Sequence, residues 1–363
     1  MSPLALHELH AALDGVFGEL NGAELVAHYA DPAAEHAALH ESAAALDLSF
    51  RSRVCVLGAD RVKFLNGQVT NHVAALKTGE GCYATLVTAK GKVQSDLNLF
   101  ALADELLLDF EPGLTRTVME RLEKYVIADD AQLVDVAPHY GLLSVQGPRA
   151  ADVVVRLGLE MELPKTLRAF ATITDPTLGT LYLMNLPRAG TTGFDLYVPV
   201  AALGAVFDKL IAATKAVGGC AGGWQALETA RIEAGIPRFG ADFDETNLPS
   251  EAGIEATAVS YTKGCYIGQE VIARLRTYGN VAKALRGLRL ADALPQLPVR
   301  GDKLFKDGKE VGHVTSAVAS PTLRANLALG YVRREANQIG AELTLRTAAG
   351  ESLARIVALP FQA

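Results

Sequence analysis

Two predicted β-strands joined by a short turn constrain the fold more than any other feature of this sequence. Two β runs are predicted at positions 83–87 and 93–100, and the five residues between them, Thr88-Ala89-Lys90-Gly91-Lys92, are a hairpin signature. Further short strands are predicted to alternate with helices along the first two thirds of the chain. Helices interleaved with hairpins predict antiparallel α+β layers rather than a doubly wound parallel sheet. Neither a G-x-G-x-x-G nor a Walker pattern occurs, so no dinucleotide or P-loop site is predicted.

The two ends of the chain have different patterns. Residues 4–46 are rich in alanine and leucine with helical spacing, and Asp31-Pro32 predicts a helix start. After Ala282, short β runs alternate with turn signals such as Asp307-Gly308. Regular short strands of this kind predict a small β-barrel of about 80 residues at the C-terminal end.

Composition excludes several classes of function. The net charge of −7 argues against nonspecific nucleic-acid binding, and residues 1–50 contain no Lys or Arg, whereas a signal or transit peptide would carry basic residues. Because no apolar run is long enough to span a membrane and no C-x-x-C pair occurs, we expect a cytoplasmic, reduced protein with no membrane association. His36 and His40 have the spacing of metal ligands, but without a third ligand they are expected to be surface residues of a helix, and no resident metal is predicted.

One octapeptide gathers several reactive residue types, namely Lys263-Gly264-Cys265-Tyr266-Ile267-Gly268-Gln269-Glu270. A helix is predicted over 271–276, with its stop at Gly279-Asn280, so the cysteine lies near the positive end of a helix dipole, which favours the thiolate. The glycines allow positive φ or close backbone approach, and Gln269 and Glu270 are expected in the first turn. The alternative is a small buried hydrophobic cysteine without a chemical role, which is the commoner case.

This octapeptide resembles the hallmark of the YgfZ-type folate-binding proteins, relatives of the glycine-cleavage T-protein (aminomethyltransferase). In that family the cysteine motif is tied to iron–sulfur cluster assembly or repair. The resemblance implies a role for Cys265 there, with Lys263 and Arg274 stabilising its thiolate and with Gly264, Gly268, Gln269 and Glu270 completing an anion-binding motif. One cysteine cannot supply the four ligands of an ordinary cluster, so a transient role is expected.

Two other segments resemble the T-protein. The segment from Tyr83 to Leu97 is similar to its Y-…-G-G-x-x-D-D-L motif, which places Asp96 at the catalytic aspartate and Ser95 at the acid before it. An aspartate among apolar strand neighbours can hydrogen-bond a ligand amine, or act as a base if burial raises its pKa; the alternative is an aspartate that caps a turn or is exposed at the sheet edge. The segment from Ala230 to Gly235 is similar to R-x-E-A-G, in which Arg231 offers a donor fork for a folate; the alternative is a solvated helix end.

A departure from the T-protein pattern lies at residues 188–196. The family's T-G-x-T-G-E-D-G-F-E motif is shortened here, and the glutamate that holds the pterin is missing. A basic island forms a second distinctive feature: between residues 258 and 290 the cations are Lys263, Arg274, Arg276, Lys283, Arg286 and Arg289, against Glu270 alone. Such an island indicates an anionic partner, or else only a solvated face.

The resemblance implies a three-lobed α+β fold, with two interleaved ferredoxin-like lobes over residues 1–280 and a C-terminal β-barrel over 281–363. The first hypothesis is a tetrahydrofolate-binding protein that supports iron–sulfur cluster assembly or repair; Tyr83, Asp96 and Arg231 would hold the folate, and Cys265 would act on cluster proteins or assembly factors. The alternative is an aminomethyltransferase that passes a one-carbon unit to tetrahydrofolate. A third is a non-catalytic scaffold that docks a partner through the basic island.

Overall fold

The computed structural model describes residues 2–279 and 281–362, which divide into two compact units. Unit 1 consists of the residues up to Ala84 together with Asp96–Glu228. Unit 2 consists of Thr85–Ser95 and the residues from Thr229 onward. The predicted hairpin is therefore divided between the two units. Its turn and the adjoining strand ends, Thr85–Ser95, belong to unit 2, and the remainder of both strands belongs to unit 1.

The described helices are α1 (His7–Ala12), α2 (Pro32–Glu41), α3 (Arg61–Gln68), α4 (Thr115–Glu123), α5 (Ala150–Arg156), α6 (Leu203–Lys215), α7 (Trp224–Glu233), α8 (Glu255–Ala258) and α9 (Gln269–Tyr278). The described strands are β1 (Val16–Leu20), β2 (Ala23–His28), β3 (Ala44–Asp47), β4 (Ser52–Leu57), β5 (Gly81–Val87), β6 (Val93–Ala101), β7 (Leu106–Phe110), β8 (Gln132–Asp135), β9 (Tyr140–Gln146), β10 (Phe170–Asp175), β11 (Gly179–Asn185), β12 (Gly193–Pro199), β13 (Cys220–Ala221), β14 (Lys283–Leu290), β15 (Lys303–Lys306), β16 (Lys309–Ser320), β17 (Ala325–Arg333), β18 (Glu342–Thr347) and β19 (Gly350–Val357).

Two sheets share the chain in an interleaved order. The chain enters a six-stranded sheet (β10-β11-β12-β9-β3-β13) with β3, leaves to form the five-stranded sheet (β5-β6-β7-β4-β8), and returns with β9. The pairs are antiparallel except for β13 with β3. The predicted antiparallel α+β layers and the predicted hairpin of β5 and β6 are therefore confirmed.

The core of the six-stranded sheet lies between the sheet and helices α5 and α6. Alternate residues of β9 and β12, such as Leu143 and Phe194, are buried against apolar residues of α6, among them Phe207 and Leu210. Because strand side chains alternate between faces, the other face of the sheet carries the intervening residues, including Ser144 and Asp195. This second face holds polar groups that are described with the candidate site.

Unit 2 is built around a closed barrel in the order β14-β17-β16-β15-β18-β19. Its interior is filled by aliphatic side chains such as Leu288, Val314 and Leu345. On the outside, Ile232 at the end of α7 packs with Leu329 and Phe361. The predicted C-terminal barrel is confirmed.

Part of the helical prediction for residues 4–46 is wrong. Helix α2 begins as predicted, because the Asp31 carboxylate accepts a hydrogen bond from the Ala33 amide. The segment before it forms the hairpin of β1 and β2, which turns at Asn21-Gly22 with positive φ at both residues. The segment after it forms β3, a fully buried strand between two others, so tertiary burial outweighs the helix propensity of its alanines.

Helix α9 is longer than the predicted 271–276. It includes Gln269 and Glu270 and ends before Gly279, while Asn280 lies outside the described residues. Among the described residues, no helix has both the length and the apolar character needed to cross a membrane.

Candidate functional site

Tyr83 and Asp96 face each other across the β5–β6 hairpin. The Tyr83 hydroxyl donates a hydrogen bond of 2.7 Å to Oδ2 of Asp96, and both side chains are partly buried. The Tyr83 carbonyl accepts a hydrogen bond of 2.8 Å from the Asn71 side chain. Asp96 is thus a carboxyl group within a sheet, oriented by a phenol, rather than an exposed sheet-edge residue.

The environment of this pair changes its acidity. Withdrawal from water, reinforced by the charge of Glu111, raises the pKa of Asp96 to about 6. Burial and the neighbouring Asp96 raise the pKa of Tyr83 well above its usual value, so the phenol remains a hydrogen-bond donor. A carboxyl group that titrates near pH 6 accepts and releases protons under physiological conditions, which is the property required of a general base.

Arg168 lies beside the pair. Its guanidinium carbon is 5.2 Å from the centre of the Tyr83 ring, and its Nε donates to the Asn98 side-chain oxygen at 3.0 Å. Burial lowers the pKa of Arg168. The Asn98 amide in turn donates to Oδ2 of Asp109 at 3.1 Å. A continuous polar chain therefore leads from Tyr83 to Asp109.

Asp109 is the centre of a group that we name the Asp109 cluster, which consists of Arg51, Asp109, Glu111, Arg188 and Asp195. Asp109 is fully buried and accepts from Arg51 at 2.7 Å and from Arg188 at 2.8 Å. Burial acts to raise the pKa of Asp109, but the two guanidinium groups outweigh it and hold that pKa well below its usual range.

The outer carboxylates of the cluster complete the charge balance. Arg51 also donates to Glu111 at 2.6 Å, and Arg188 donates to Asp195 at 2.6 Å. Burial raises the pKa of Asp195, an effect that Arg188 opposes. Oδ1 of Asp195 and the Tyr197 hydroxyl are buried without a hydrogen-bond partner among the described residues.

The shortened segment at residues 188–196 contributes to this cluster. It supplies Arg188 and Asp195, and the Arg188 guanidinium lies between the carboxylates of Asp109 and Asp195. Sequence reasoning missed Arg51, Asp109, Glu111 and Arg168, because their partners lie far away in the sequence. One signal was available: charged residues within otherwise apolar strands, as in Leu106–Phe110, indicate buried pairs.

Arg231 lies in unit 2, where its guanidinium has partners of its own. It forms an ion pair with the buried Asp242 and donates to Ser316 at 3.0 Å and to the Ile236 carbonyl at 3.2 Å. The predicted alternative of a solvated helix end is wrong, because Arg231 and Glu233 are both buried. A folate contact by Arg231 stays a prediction, and it would require a group whose donors are already engaged.

The octapeptide, residues 263–270, is here named the motif segment. Gly268 has a φ of 83° immediately before α9, and a β-carbon on it would collide with the Thr88 carbonyl oxygen. Gly268 therefore has both properties predicted for a motif glycine, a positive φ and a close backbone approach. Gly264 does not have a positive φ, and a β-carbon added to it would meet no described atom within 4 Å.

Cys265 is exposed and lies three residues before the N-cap of α9. Lys263 is buried, with its ammonium group 4.8 Å from the centre of the Tyr266 ring. Burial raises the pKa of Tyr266 to about 12. Arg274 is exposed. One of its guanidinium nitrogens lies 3.8 Å from a carboxylate oxygen of Glu270, which is in the first turn of α9. The expectation of a buried cysteine in the alternative is therefore wrong for Cys265, whereas its chemical role and the stabilisation of its thiolate by Lys263 and Arg274 stay predictions.

The basic island is only partly a solvated face. Arg276 lies 4.0 Å from the centre of the Tyr261 ring, and Lys283 lies 4.5 Å from that of Tyr331. Arg286 donates to the Asn337 carbonyl at 3.2 Å, and Arg289 is exposed. Several of these cations thus stack on aromatic rings or bind backbone, which reduces the charge available to an anionic partner.

The two histidines of α2 differ from the prediction. His36 is buried rather than on the surface, and its Nε2 lies 3.2 Å from Nε2 of His40, which is partly buried. The spacing of four residues places both rings on one side of the helix, as expected. The absence of a resident metal stays a prediction.

Comparisons with known families cover nearly the whole chain. The family model described as "GCVT N-terminal domain" matches residues 6–263, and the one described as "Glycine cleavage T-protein C-terminal barrel domain" matches residues 283–362. The predicted boundary at residue 280 stays a prediction, and it falls in the interval between these two matches.

The relatives described next are named aminomethyltransferases. The chain is 28% identical over 357 residues to an aminomethyltransferase of Halalkalibacterium halodurans, covering 98% of this chain and 96% of that protein. It is 29% identical over 368 residues to an aminomethyltransferase of Symbiobacterium thermophilum, covering 98% and 96%. The solved structure of glycine cleavage system aminomethyltransferase T from Bartonella henselae matches with a TM-score of 0.88 at 24% identity, covering 99% of this chain and 98% of that one. The predicted T-protein fold with its C-terminal barrel is thereby confirmed.

Proposed function

Because the chain belongs to the glycine cleavage T-protein family, we propose that it binds tetrahydrofolate and acts in folate-dependent one-carbon transfer of the aminomethyltransferase type. The observation that carries this proposal is the Tyr83–Asp96 pair. The resemblance assigns the family's catalytic aspartate to Asp96, and this carboxyl group is held by a phenol with its pKa raised to about 6.

Each residue of the pair has a distinct task in this proposal. Asp96 accepts a hydrogen bond from a ligand N–H and takes its proton when the reaction requires it. Tyr83 orients Asp96 and provides an aromatic face, with Arg168 beside it. Tetrahydrofolate, when bound, supplies the acceptor for the one-carbon unit. The glutamate that holds the pterin in the T-protein motif is missing here, and the carboxylates of Asp109 and Asp195 are engaged with Arg188, so in this proposal recognition of the pterin rests on other groups.

Calorimetric titration of tetrahydrofolate under anaerobic conditions tests this proposal. We expect micromolar binding to the reduced wild-type protein, strong loss in Asp96→Asn, and unchanged binding in the control Asp152→Asn, which removes an exposed carboxylate of unit 1. Formation of methylenetetrahydrofolate in a reconstituted glycine-cleavage assay then tests the transfer itself. Binding that is equal in wild type and Asp96→Asn would remove the basis of the proposal.

A second candidate is support of iron–sulfur cluster assembly or repair, as in the YgfZ-type proteins. The exposure of Cys265 within the motif segment favours it, because a thiol with a role toward other proteins must be accessible. The names of the relatives favour aminomethyl transfer over this second candidate. Activity of cluster enzymes in a deletion strain distinguishes the two: full rescue by Cys265→Ser would reject the second candidate, and rescue lost with Cys265→Ser while methylenetetrahydrofolate formation persists would favour it. Cytoplasmic location is proposed with either.

A further inference from the structure

A groove runs along one side of helix α9 in unit 2. Its floor is apolar and is formed by Val271 and Leu275, one helical turn apart, and by Leu248 from the preceding loop. All three side chains are partly exposed, whereas Ile272, on the inner side of the same helix, is buried. The groove encloses about 490 Å³. An amphipathic helix normally buries its whole apolar stripe, so this part of the stripe is available to a partner.

The rim of this groove is predominantly basic. Lys90 and Lys92 from the hairpin turn and Arg274 from α9 line it, and Glu270 is the one acidic residue among the described residues that line it. Lys92 is partly compensated, since it lies 3.7 Å from Glu251 and donates to the Thr246 carbonyl at 2.7 Å. Lys90 and Arg274 are exposed. In a chain with a net charge of −7, this rim is locally of the opposite sign.

The hairpin turn keeps the groove in a fixed shape. Gly91 has a φ of 73°, and a β-carbon there would lie 3.3 Å from Leu248 and 3.4 Å from Val271. The turn is also tied to the loop, because the Val93 amide donates to the Asn247 carbonyl at 2.9 Å. The two sides of the groove are thus packed together, so a ligand meets a preformed surface.

We propose that this groove docks an acidic amphipathic segment of a partner protein. Two apolar side chains spaced by one helical turn would contact Leu248, Val271 and Leu275, and flanking Asp or Glu residues would pair with Lys90 and Arg274. Helix-in-groove recognition uses this combination of an apolar floor and complementary charges. The inference goes beyond the proposed function. It shares Arg274 with the predicted surroundings of Cys265, but docking requires neither folate nor the Cys265 thiol.

Selection from a phage-displayed library of random peptides of about twelve residues, roughly three helical turns, tests this inference on the full-length protein. We expect enriched peptides to carry two apolar residues three or four positions apart with neighbouring Asp or Glu. A synthetic copy should bind at least about tenfold more weakly to Val271→Asp, and roughly three- to tenfold more weakly to the double variant Lys90→Glu/Arg274→Glu. Binding to the wild type should also weaken as salt rises.

Two controls keep the result interpretable. Arg289→Glu reverses an exposed charge of the barrel outside the groove and should leave peptide binding unchanged. Thermal unfolding shows whether Val271→Asp retains its fold; if it does not, the double variant, whose two side chains are exposed, decides the test. Failure to enrich any peptide, enrichment of basic or uncharged peptides, or binding unaffected by both groove variants would overturn the proposal. So would binding of dodecanoate at this groove in the absence of peptide binding, which would mark a site for small amphiphiles.

Discussion

The Asp109 cluster of unit 1 and the motif segment of unit 2 differ in the exposure and the pairing of their charged residues. In the cluster, largely buried carboxylates and guanidinium groups pair at 2.6–2.8 Å. In the motif segment, Lys263 is buried, but Cys265 and Glu270 are exposed, and Glu270 lies 3.8 Å from the exposed Arg274 of α9. Buried pairs of this kind are sensitive to the loss of one member, whereas exposed pairs contribute little to stability. The comparison teaches that the residues which hold the fold and those available for chemistry are largely different sets.

The largest effect is expected in the Asp109 cluster. Asp109→Asn removes the carboxylate shared by Arg51 and Arg188, leaving one buried and one largely buried guanidinium group with reduced compensation. We expect the free energy of unfolding to fall by about 3–5 kcal/mol. The control Asp129→Asn breaks the surface pair with the exposed Lys63 and should have a much smaller effect. Urea unfolding measures both, and a loss of similar size in the two variants would contradict the contrast drawn between buried and exposed pairs.

The motif segment is expected to be sensitive at its backbone rather than at its charges. Gly268→Ala forces an alanine into a φ of 83° and places its β-carbon against the Thr88 carbonyl oxygen. We expect a destabilisation of about 2–4 kcal/mol. Gly264→Ala is the matched control within the same segment, and it should change stability by less than about 0.5 kcal/mol because its surroundings are open. Equal effects of the two substitutions in thermal unfolding would show that the segment does not require the left-handed conformation.

The same contrast explains what could be predicted from the sequence. The β5–β6 hairpin was predictable, because its turn is a local pattern, whereas the hydrogen bond between Tyr83 and Asp96 was not among the predictions. The positive φ of Gly268 was predictable for a similar reason, since it is a local property of a glycine before a helix. The dipeptide Asn21-Gly22 is also a local signal for the hairpin of β1 and β2. The surrounding Ala and Leu residues nevertheless favoured a helical interpretation.

The Asp109 cluster was not predictable in this way. Its members come from positions 51, 109, 111, 188 and 195, and only the folded sheets bring them together. Strand β3 is a similar case, because its burial between β9 and β13 depends on strands that lie far away in the sequence. Ion pairs and central strands are decided by tertiary contacts, which neither periodicity nor propensity contains.

A smaller effect with the opposite sign is expected at Asp96. Its pKa in the folded protein is about 6, above the usual 3.8, so the folded state favours the protonated form. The stability of the wild type should therefore fall as the pH rises from about 4 through 6, and above that range the full cost of the ionised carboxylate remains. Asp96→Asn does not titrate and still accepts the hydrogen bond from Tyr83. We expect it to be more stable than the wild type at pH 8 by about 1–2 kcal/mol, a value reduced by partial exposure to water, and by much less at pH 4. Thermal unfolding across this range measures the difference, and a difference independent of pH would contradict the raised pKa.

The smallest effect on stability is expected at Cys265, where the change should appear in reactivity instead. Cys265→Ser alters an exposed side chain and should shift the free energy of unfolding by less than about 0.5 kcal/mol. Burial raises the pKa of Cys55 and of Cys220, so their thiolates are scarce, whereas Cys265 is open to solvent. A dithiobis(nitrobenzoate) reagent should thus modify Cys265 fastest in the native wild type, and the fast phase should be absent from Cys265→Ser. If the fast phase persisted in the variant, Cys82 or another thiol would be the accessible one. The reactive thiol would then lie outside the motif segment, and the candidate role in iron–sulfur cluster assembly or repair would lose the observation that favours it.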